Sequence, residues 1–350
     1  MAVTVRPRRE FYEIFSREQI IDIVRSIDIY KDVPIEYSYF NEGAHIWDAY
    51  AKRLYGEGTP NSINTSEELI QKNIGYIMSI LHDKAAVDVI DITVGNLLPA
   101  KWLVSCLYNS GKLGNYTALD KSPDILKIAE SNMEAWFGDN INFQGEIFDV
   151  NRDRFSHLSM KKWAKDNSLP NLVLYLGATS QNFRDMKDSF QNINESMGPD
   201  DILIHTLKLD SATSRTYFDF DPEPQGKIFS SSVLAPRHRY VLDLMDLASL
   251  GLINIPESLY EVEREFDPNL GQRTIRVRFL QDITIQFEID HTQYPVAIKQ
   301  GESLMLLRVW HQSYQDVLRL LDETGFKTMH FSHTENREYL LTISRVKRDL

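Results

Sequence analysis

The sequence has 350 residues, of which 43% are hydrophobic and 25% charged, and its formal net charge is −12. This composition is typical of a folded globular protein with ample material for a core, in one large domain or two smaller ones. The negative charge argues against nucleic-acid binding, which needs a basic face, and we interpret the basic residues near both termini as solvated.

Cysteine content and hydropathy bear on the compartment. The single cysteine, Cys106, cannot form an internal disulfide, which favours a reducing cytoplasm. We expect Cys106 to be a buried structural residue on a helix, and the alternative is a catalytic thiol. No apolar run reaches the ~18 residues of a membrane span, and the first residues lack the apolar core of a signal peptide. The sequence therefore predicts a cytoplasmic protein without a membrane partner.

Before residue 87 the sequence predicts two helices around an aromatic segment. Apolar residues at helical spacing indicate an amphipathic helix over 11–30. A looser segment rich in aromatic residues follows and closes near Pro60. We expect the second helix to begin at Thr65, with Thr65 as N-cap and Glu68 completing a capping box.

Strands and helices alternate through the middle of the sequence. The predicted elements are strand 87–92, helix 97–110, strand 116–119, helix 123–137, strand 143–148, helix 156–167, strand 171–176, helix 184–197 and strand 202–208. Alternation of this kind implies a mainly parallel sheet with helices on both faces.

The pattern changes after Asp210. A turn-rich connection occupies 211–235, and a helix is predicted over 236–250. Three strand-like segments follow, and their short turns indicate an antiparallel sheet. They are 258–266, 272–280 and 282–289.

The end of the sequence returns to helix, strand, turn and strand. Ser313 and Asp316 are expected to cap this helix, and Gly325 to end it. A parallel sheet that is finished by a helix and a β-hairpin, with the last strand inserted antiparallel, is the topology of class I methyltransferases. The antiparallel segment then becomes an insertion into that sheet.

The strongest functional signal lies between residues 87 and 122. An apolar strand ends in a small turn containing Gly95, a helix follows, and the next strand ends at Asp120. This order is typical of a nucleotide-binding α/β sheet, in which the acid about 25 residues after the turn accepts hydrogen bonds from a ribose. The alternative is a plain βαβ unit with a geometric Gly-Asn turn.

The glycine content of this turn indicates which ligand to expect. No Gly-x-Gly-x-x-Gly cradle follows the strand, which disfavours a dinucleotide. A phosphate-free adenosyl ligand such as S-adenosylmethionine is favoured instead. The helix after Asp120 has a good N-cap in Ser122 and a suitable first residue in Pro123.

Several segments, in order, resemble the histidine-specific Nα-methyltransferase family of ergothioneine biosynthesis, which uses S-adenosylmethionine. Residues 39–47 are similar to the family's Tyr-Asp-x-x-Gly-Ser-x-Leu-Phe, and 91–96 stand where the family has Glu-Leu-Gly-Ser-Gly. Residues 116–122 match a strand ending in Asp-x-Ser. The most specific match is 174–183, which resembles Phe-Leu-Gly-Ser-Thr-x-Gly-Asn-Phe behind an apolar strand.

The resemblance spans nearly the whole chain and implies its architecture. The expected fold is α/β, a Rossmann-like class I methyltransferase sheet with an inserted α+β substrate-binding domain. Residues 1–60 and 211–311 are expected to form the substrate-binding domain, and residues 61–210 and 312–350 the methyltransferase domain that binds S-adenosylmethionine.

Carried over by position, the resemblance also implies the site residues. The residues expected at the cofactor are Tyr39, Gly95, Asp120, Ser122, Phe148, Asp149 and Gly177. The residues expected at the substrate are Thr179, Asn182, Tyr217, Arg237 and Arg308, with Asn182 and Tyr217 in catalytic roles. Asn182 would hold the amino and carboxylate end of an amino acid. The alternatives are an ordinary aromatic role for Tyr39 and Tyr217, a helix cap for Asn182 and a turn for Asp149.

Departures from the family's pattern bear on the substrate. Thr93 replaces the first glycine of the cofactor turn, which leaves less room for the methionine carboxylate. Val309 and His311 stand where the family reads imidazole with a glutamate and a serine, so histidine is expected to be a poor substrate. Arg237 and Arg308 would suit an acidic substrate, the alternative being surface side chains.

The sequence thus predicts an S-adenosylmethionine-dependent N-methyltransferase, EC class 2.1.1, acting on an amino acid or related small amine other than histidine. No metal is expected, because the nine histidines show no ligand spacing. The expected partner is a small-molecule substrate, and the expected state is a monomer or homodimer. The alternatives are O- or C-methyl or other group transfer on the same fold, and a non-enzymatic member with a degenerate cofactor site.

Overall fold

The computed structural model describes residues 2–57, 60–163, 169–177, 179–211, 228–229 and 251–347. The chain divides into two units: Met1–Trp47 with Arg215–Trp310, and Asp48–Ser214 with His311–Leu350. The sequence analysis places these junctions near residues 60, 210 and 311. The predicted helix 236–250 and most of the connection 211–235 lie outside the described residues.

The regular elements are numbered along the chain. The strands are β1 Val3–Val5, β2 Val87–Ile92, β3 Leu113–Asp120, β4 Phe143–Ile147, β5 Asn171–Tyr175, β6 Ile202–Lys208, β7 Ile228–Phe229, β8 Tyr260–Asp267, β9 Gln272–Phe279, β10 Ile283–Ile289, β11 Thr292–Ile298, β12 Ser303–Trp310, β13 Phe326–His333 and β14 Tyr339–Val346. The helices are α1 Arg9–Ile14, α2 Arg17–Arg25, α3 Glu42–Glu57, α4 Ser62–Ile80, α5 Lys101–Asn109, α6 Pro123–Phe137, α7 Ser156–Trp163, α8 Met186–Ser196 and α9 Tyr314–Glu323.

The second unit is built on one seven-stranded sheet. Its strand order is β13-β14-β6-β5-β2-β3-β4. The strands β6, β5, β2, β3 and β4 are parallel neighbours, whereas β14 runs antiparallel to both β6 and β13. Strands β2, β5 and β6 are buried along their whole length, as expected for a parallel sheet covered on both faces. This is the predicted topology, and the class I methyltransferase fold is confirmed.

Most predicted elements of this unit are present. Strand β2, helix α6 and strand β6 have the predicted bounds, and the other described elements of this unit differ at their ends. The predicted helix 97–110 begins as a 3₁₀ turn, Leu98–Ala100, before α5. At the end of the chain, Ser313 is the N-cap of α9 and accepts the Asp316 N–H, as predicted.

Helix α4 begins earlier than predicted. Its N-cap is Asn61, whose side-chain oxygen accepts the N–H groups of Ile63 at 2.9 Å and Asn64 at 3.1 Å. Thr65 lies inside the helix and is buried, so the predicted capping box of Thr65 and Glu68 is wrong. The Thr-x-x-Glu spacing is present, but Asn61 caps the same helix one turn earlier.

The predicted helix 11–30 is broken into separate pieces. Ser16 lies between α1 and α2, accepts the N–H of Gln19 and forms a capping box with it. A π-helical turn, Ser26–Tyr30, follows α2. Apolar spacing alone does not reveal this break, because Phe15, directly after α1, and Ile20 in α2 belong to the same core.

The first unit contains two smaller sheets. Their strand orders are β1-β10-β11 and β12-β9-β8-β7, and all neighbours are antiparallel except β1 and β10. The predicted antiparallel segments correspond to β8, β9 and β10, whereas β1, β11 and β12 go beyond the predicted elements. Strand β11 lies at a sheet edge, begins with exposed residues and contains Pro295, so its sequence carries a weak strand pattern. Among the described helices, none is long and apolar enough to cross a membrane.

The correction at α4 gives a stability prediction. We expect Asn61→Ala to lower the free energy of unfolding by about 1 kcal/mol, because it removes the acceptor for two N–H groups of the first turn. Thr65→Val keeps the size of the buried side chain and removes its hydroxyl. Because Thr65 is not the N-cap, this variant should lose no capping energy. Urea unfolding measures the free energy of unfolding of both variants. A larger loss for Thr65→Val than for Asn61→Ala would contradict the observed cap.

Candidate cofactor and substrate site

The turn after β2 has a backbone that glycine usually supplies. Thr93, Gly95 and Leu97 have φ angles of 54°, 56° and 68°. A β-branched residue in the left-handed region is an outlier that costs energy and is often found at functional sites. The Thr93 hydroxyl donates to the carbonyl oxygen of Ile92 at 2.6 Å. Thr93 therefore holds, at the expense of strain, a backbone conformation that glycine adopts without strain.

Side chains from neighbouring elements hold this turn. The side-chain amide of Asn96 donates to Asp48 at 3.0 Å, and Asn132 donates to the carbonyl oxygen of Asn96 at 3.1 Å. The N–H of Val94 donates to the carbonyl oxygen of Leu119, the residue before Asp120. Asn96 is 2% exposed, so these bonds are made away from water. The turn is thus fixed to α3, α6 and β3 together.

Asp120 ends β3 and is half-buried. Its carboxylate accepts the N–H of Ser122 at 3.0 Å and also backbone N–H groups of Gly95 and Lys121. Burial raises the pKa of Asp120 to about 6, and the backbone donors oppose that rise. One carboxylate therefore joins the turn after β2 to the loop after β3, and it is ionised at neutral pH.

A second acid, Asp91, lies beside it and has no assigned role in the sequence analysis. The Tyr116 hydroxyl donates to Asp91 Oδ2 at 2.5 Å, and both side chains are buried. Burial raises the pKa of Asp91 to about 8, and the charge of Asp120 adds to the rise. At neutral pH, Asp91 is protonated while Asp120 is ionised. The sequence signal for this pair is an acid near the end of strand β2, whose other residues are apolar except Asp88.

Ser122 and Phe148 have structural contacts at the same edge of the sheet. The Ser122 hydroxyl accepts the N–H of Ile125 at 3.2 Å, so Ser122 is the N-cap of α6, as predicted. Phe148 is buried against Phe155, with ring centroids 5.9 Å apart, and its N–H donates to the carbonyl oxygen of Asp120 at 2.9 Å. These contacts place both residues next to the Asp120 loop.

Asp149 pairs with a lysine that sequence reasoning missed. Its carboxylate lies 3.0 Å from Nζ of Lys121, and both side chains are mostly buried. The same carboxylate accepts the N–H of Asn151 at 3.0 Å, which closes a turn. Lys121 follows Asp120 directly, so the position was visible in the sequence, but its distant partner was not.

The loop after β5 carries the predicted Gly177, Thr179 and Asn182. Gly177 has a φ of 76°, and its N–H donates to Thr206 Oγ1 at 3.1 Å. Thr179 and Asn182 are half-buried at the two ends of a 3₁₀ turn. The following helix α8 is capped by Asp185, so the capping alternative for Asn182 is wrong.

Two further predicted residues belong to the first unit. Tyr39 is half-buried, with its ring centroid 5.7 Å from that of Trp47. Arg308 on β12 forms an ion pair with the buried Asp32, so the surface alternative for Arg308 is wrong. An acidic substrate would have to compete with Asp32 for this guanidinium. Tyr217 and Arg237 lie outside the described residues.

Metal ligation has no candidate in the part of the chain that the structure describes. In that part, no group of three or more histidine, cysteine, aspartate or glutamate side chains is placed to hold an ion.

The buried proton on Asp91 gives a pH prediction. Because the pKa of Asp91 is about 8 in the folded protein and about 4 in an unfolded chain, wild-type stability should fall as pH rises between these values. Asp91→Asn is always neutral and keeps an acceptor for Tyr116. Relative to wild type, we expect this variant to gain up to about 1.4 kcal/mol per pH unit between about pH 5 and pH 7.5.

Urea unfolding of both proteins across this pH range is the measurement. Glu134→Gln, on the exposed face of α6, is the control and should show no such trend. A stability difference between Asp91→Asn and wild type that does not change with pH would rule out the buried proton.

Comparisons with known proteins add little to this description. No family model matches the chain, and no curated protein matches it. Among solved structures, an S-adenosylmethionine-dependent methyltransferase from Clostridium acetobutylicum ATCC 824 is 11% identical, with 88% of this chain and 99% of that one covered and a TM-score of 0.47. The CcbJ methyltransferase from Streptomyces caelestis is 8% identical, with coverages of 90% and 99% and a TM-score of 0.42. At these scores the likenesses carry no argument about activity or ligand.

Proposed function

We propose that this chain is an S-adenosylmethionine-dependent methyltransferase and that its second unit binds the cofactor. The observation that carries the proposal is Asp120, a half-buried carboxylate at the carboxyl end of β3, bound to the Gly95 turn in a class I methyltransferase sheet. In open α/β sheets, ligands bind outside the carboxyl ends of the strands. The residues there fit an adenosyl group that carries no phosphate.

Asp120 is the proposed ribose acceptor. An ionised carboxylate accepts hydrogen bonds only, and a ribose offers two hydroxyl donors. The pKa of Asp120 is about 6, so the acid is charged at neutral pH. Its backbone partners hold the carboxylate in place before a ligand arrives, which lowers the ordering cost of binding.

The neighbouring residues fit the rest of an adenosyl ligand. Phe148 and Asp149 are proposed to flank the adenine, with Asp149 held by Lys121. Gly177 leaves space for a close approach to backbone, since a Cβ added there would meet Pro99 Cγ at 3.9 Å as its nearest neighbour. The bound cofactor would supply a methyl group already activated by a positive sulfur.

The proposed acceptor is the amine of an amino acid or related small molecule. Asn182 offers both a donor and an acceptor, which suits an amino group beside a carboxylate. A half-buried position lowers the pKa of an amine and so favours the neutral form that attacks. The remaining role of the chain is alignment of the reacting atoms at about 3 Å. Tyr39, Tyr217, Arg237 and Arg308 remain predictions from the resemblance.

One observation favours a second candidate, a non-enzymatic member of the fold. Thr93 occupies a left-handed glycine position in the cofactor turn, and its hydroxyl is bound to the Ile92 carbonyl oxygen. If its side chain blocks the methionine end of the cofactor, the site would bind weakly or not at all. A binding measurement separates the two candidates.

Isothermal titration calorimetry with S-adenosylhomocysteine tests the cofactor proposal. We expect wild type to bind and Asp120→Asn to bind at least about tenfold more weakly, because a hydrogen bond to a charged group contributes about 1.5–3 kcal/mol. The asparagine keeps the size of the side chain and an acceptor for the loop. Asp139→Asn, on an exposed turn, is the matched control and should bind as wild type does. Absence of wild-type binding at millimolar ligand would refute the proposal.

Mass spectrometry of products from an amine panel tests the acceptor. We expect methylated amines from substrates other than histidine, and poor conversion of histidine, because Val309 and His311 replace the polar pair that reads imidazole in the family. A site that lacks a hydrogen-bond partner for its substrate discriminates strongly against it. Methylation at oxygen or carbon would favour the alternative transfer chemistry, and efficient trimethylation of histidine would overturn the expectation.

A further inference from the structure

Gln181 makes a strand-like pair with the backbone of Lys208. Its Nε2 donates to the Lys208 carbonyl oxygen at 2.7 Å, and its Oε1 accepts the Lys208 N–H at 2.9 Å. Gln181 is 0% exposed, so both bonds are made away from water. Strand β5 ends at Tyr175, which pairs with His205, and Lys208 lies beyond that end. The amide of Gln181 therefore supplies the donor and acceptor that a longer β5 would have supplied.

A chain of hydroxyl groups fixes the start of the same loop. The Ser66 hydroxyl donates to the carbonyl oxygen of Ser62 at 2.6 Å, so in the 2.8 Å contact with Thr206 the threonine is the donor. Thr206 Oγ1 in turn accepts the Gly177 N–H at 3.1 Å. Ser66 donates its one hydroxyl proton to Ser62, and Thr206 donates its one hydroxyl proton to Ser66.

A third contact lies between these two. The Ser180 hydroxyl is 2.9 Å from Nε2 of His205, and both residues are buried. Burial lowers the pKa of His205 to about 3, so the ring is neutral. Three side-chain contacts to β6 thus hold the loop that contains the candidate substrate residues Thr179 and Asn182.

The position of Gln181 separates this chain from the family that it resembles. The family's motif has glycine immediately before the asparagine, where this chain has Gln181. A glycine has no side chain to pair with Lys208. The contact is therefore a property of this sequence.

We propose that Gln181 is a positioning residue for the candidate site: by pairing with Lys208 it holds in place the turn Thr179–Asn182 and the loop that begins at Gly177. The inference rests on the proposed function, because it assigns a purpose to the orientation of Asn182. Gln181 touches the backbone of β6 and acts through its neighbour in the chain.

Two substitutions test the pairing. Gln181→Met keeps the approximate size of the side chain and removes both hydrogen bonds. Gln181→Glu keeps an acceptor but, when ionised, has no proton for the Lys208 carbonyl oxygen. A protonated glutamic acid has the donor and acceptor of glutamine, so this variant should recover the pair as the pH is lowered. Gln144→Met on the exposed strand β4 is the matched control.

Hydrogen exchange of the ligand-free protein is the first measurement. In Gln181→Met we expect the Lys208 amide and the amides of Thr179–Asn182 to exchange at least about tenfold faster, with the amides of β2 and β3 unchanged. In Gln181→Glu the protection should return as the pH is lowered and the buried glutamate is protonated, whereas Gln181→Met should show no recovery beyond that of wild type. Unchanged exchange of the turn in Gln181→Met would overturn the proposal, as would uniform loosening of the whole sheet.

Calorimetry with S-adenosylhomocysteine is the second measurement and links the pairing to the site. We expect Gln181→Met to weaken binding about threefold, because Gly177 begins the same loop, with Gln181→Glu recovering toward wild type at the lower pH. If exchange of the turn is faster but the affinity is unchanged, Gln181 has only a structural role, and the proposed positioning role is overturned. If wild type binds no ligand, the proposed function fails and the positioning role fails with it, whereas the exchange result still decides the pairing.

Discussion

The carboxylate of Asp120 is the interaction on which the candidate site depends. It accepts hydrogen bonds from backbone N–H groups of the turn after β2 and of the loop after β3. One charged group therefore binds both loops. At neutral pH this group is ionised, whereas its acidic neighbour Asp91 is protonated and hydrogen-bonded to Tyr116. Two ionised acids this close, both shielded from water, would repel each other. At neutral pH the pair therefore carries a single charge, which lies on Asp120 and is stabilised by the backbone N–H groups of both loops.

The order of the strands explains why these residues meet. Strands β6, β5, β2 and β3 are adjacent and parallel, so the loops that follow them emerge at one edge of the sheet. Polar side chains rather than further strands then fill the spaces beyond the strand ends. Asn96 and Asn132 do so near β2, and Gln181 does so near β6. Because each of these amides has a donor and an acceptor, the loops are held without extending the sheet.

Local sequence patterns predicted much of this architecture. Apolar strands that alternate with helices predicted the parallel sheet. The turn at Gly95 and the acid at Asp120 predicted a candidate cofactor site, and the structure brings these two residues into contact. Both signals can be read along one continuous stretch of the chain, in which Asp120 follows Gly95 by 25 residues. The remaining site residues were predicted from the family resemblance. Of these, Tyr217 and Arg237 lie outside the described residues.

The features that were missed depend on partners far away in the sequence. Lys121 has an ordinary place after Asp120, and only the fold shows its ion pair with Asp149. Arg308 was expected at a substrate or at the surface. Its guanidinium pairs with Asp32, which lies 276 residues earlier in the chain. At Thr65 the local capping pattern was present, but Asn61 offered a competing cap for the same helix. Spacing alone does not rank such competing partners.

The placement of β14 has a consequence for the order in which the sheet is completed during synthesis. Strand β14 pairs with β6 on one side and with β13 on the other, so β13 joins the sheet only through β14. A ribosome makes every residue between 209 and 338 before this strand emerges. Until then, the edge of β6 that β14 covers has no partner strand, and residues 215–310 of the first unit are made during this interval. The nascent chain must therefore protect that edge from other strands for the time that more than one-third of the sequence takes to translate.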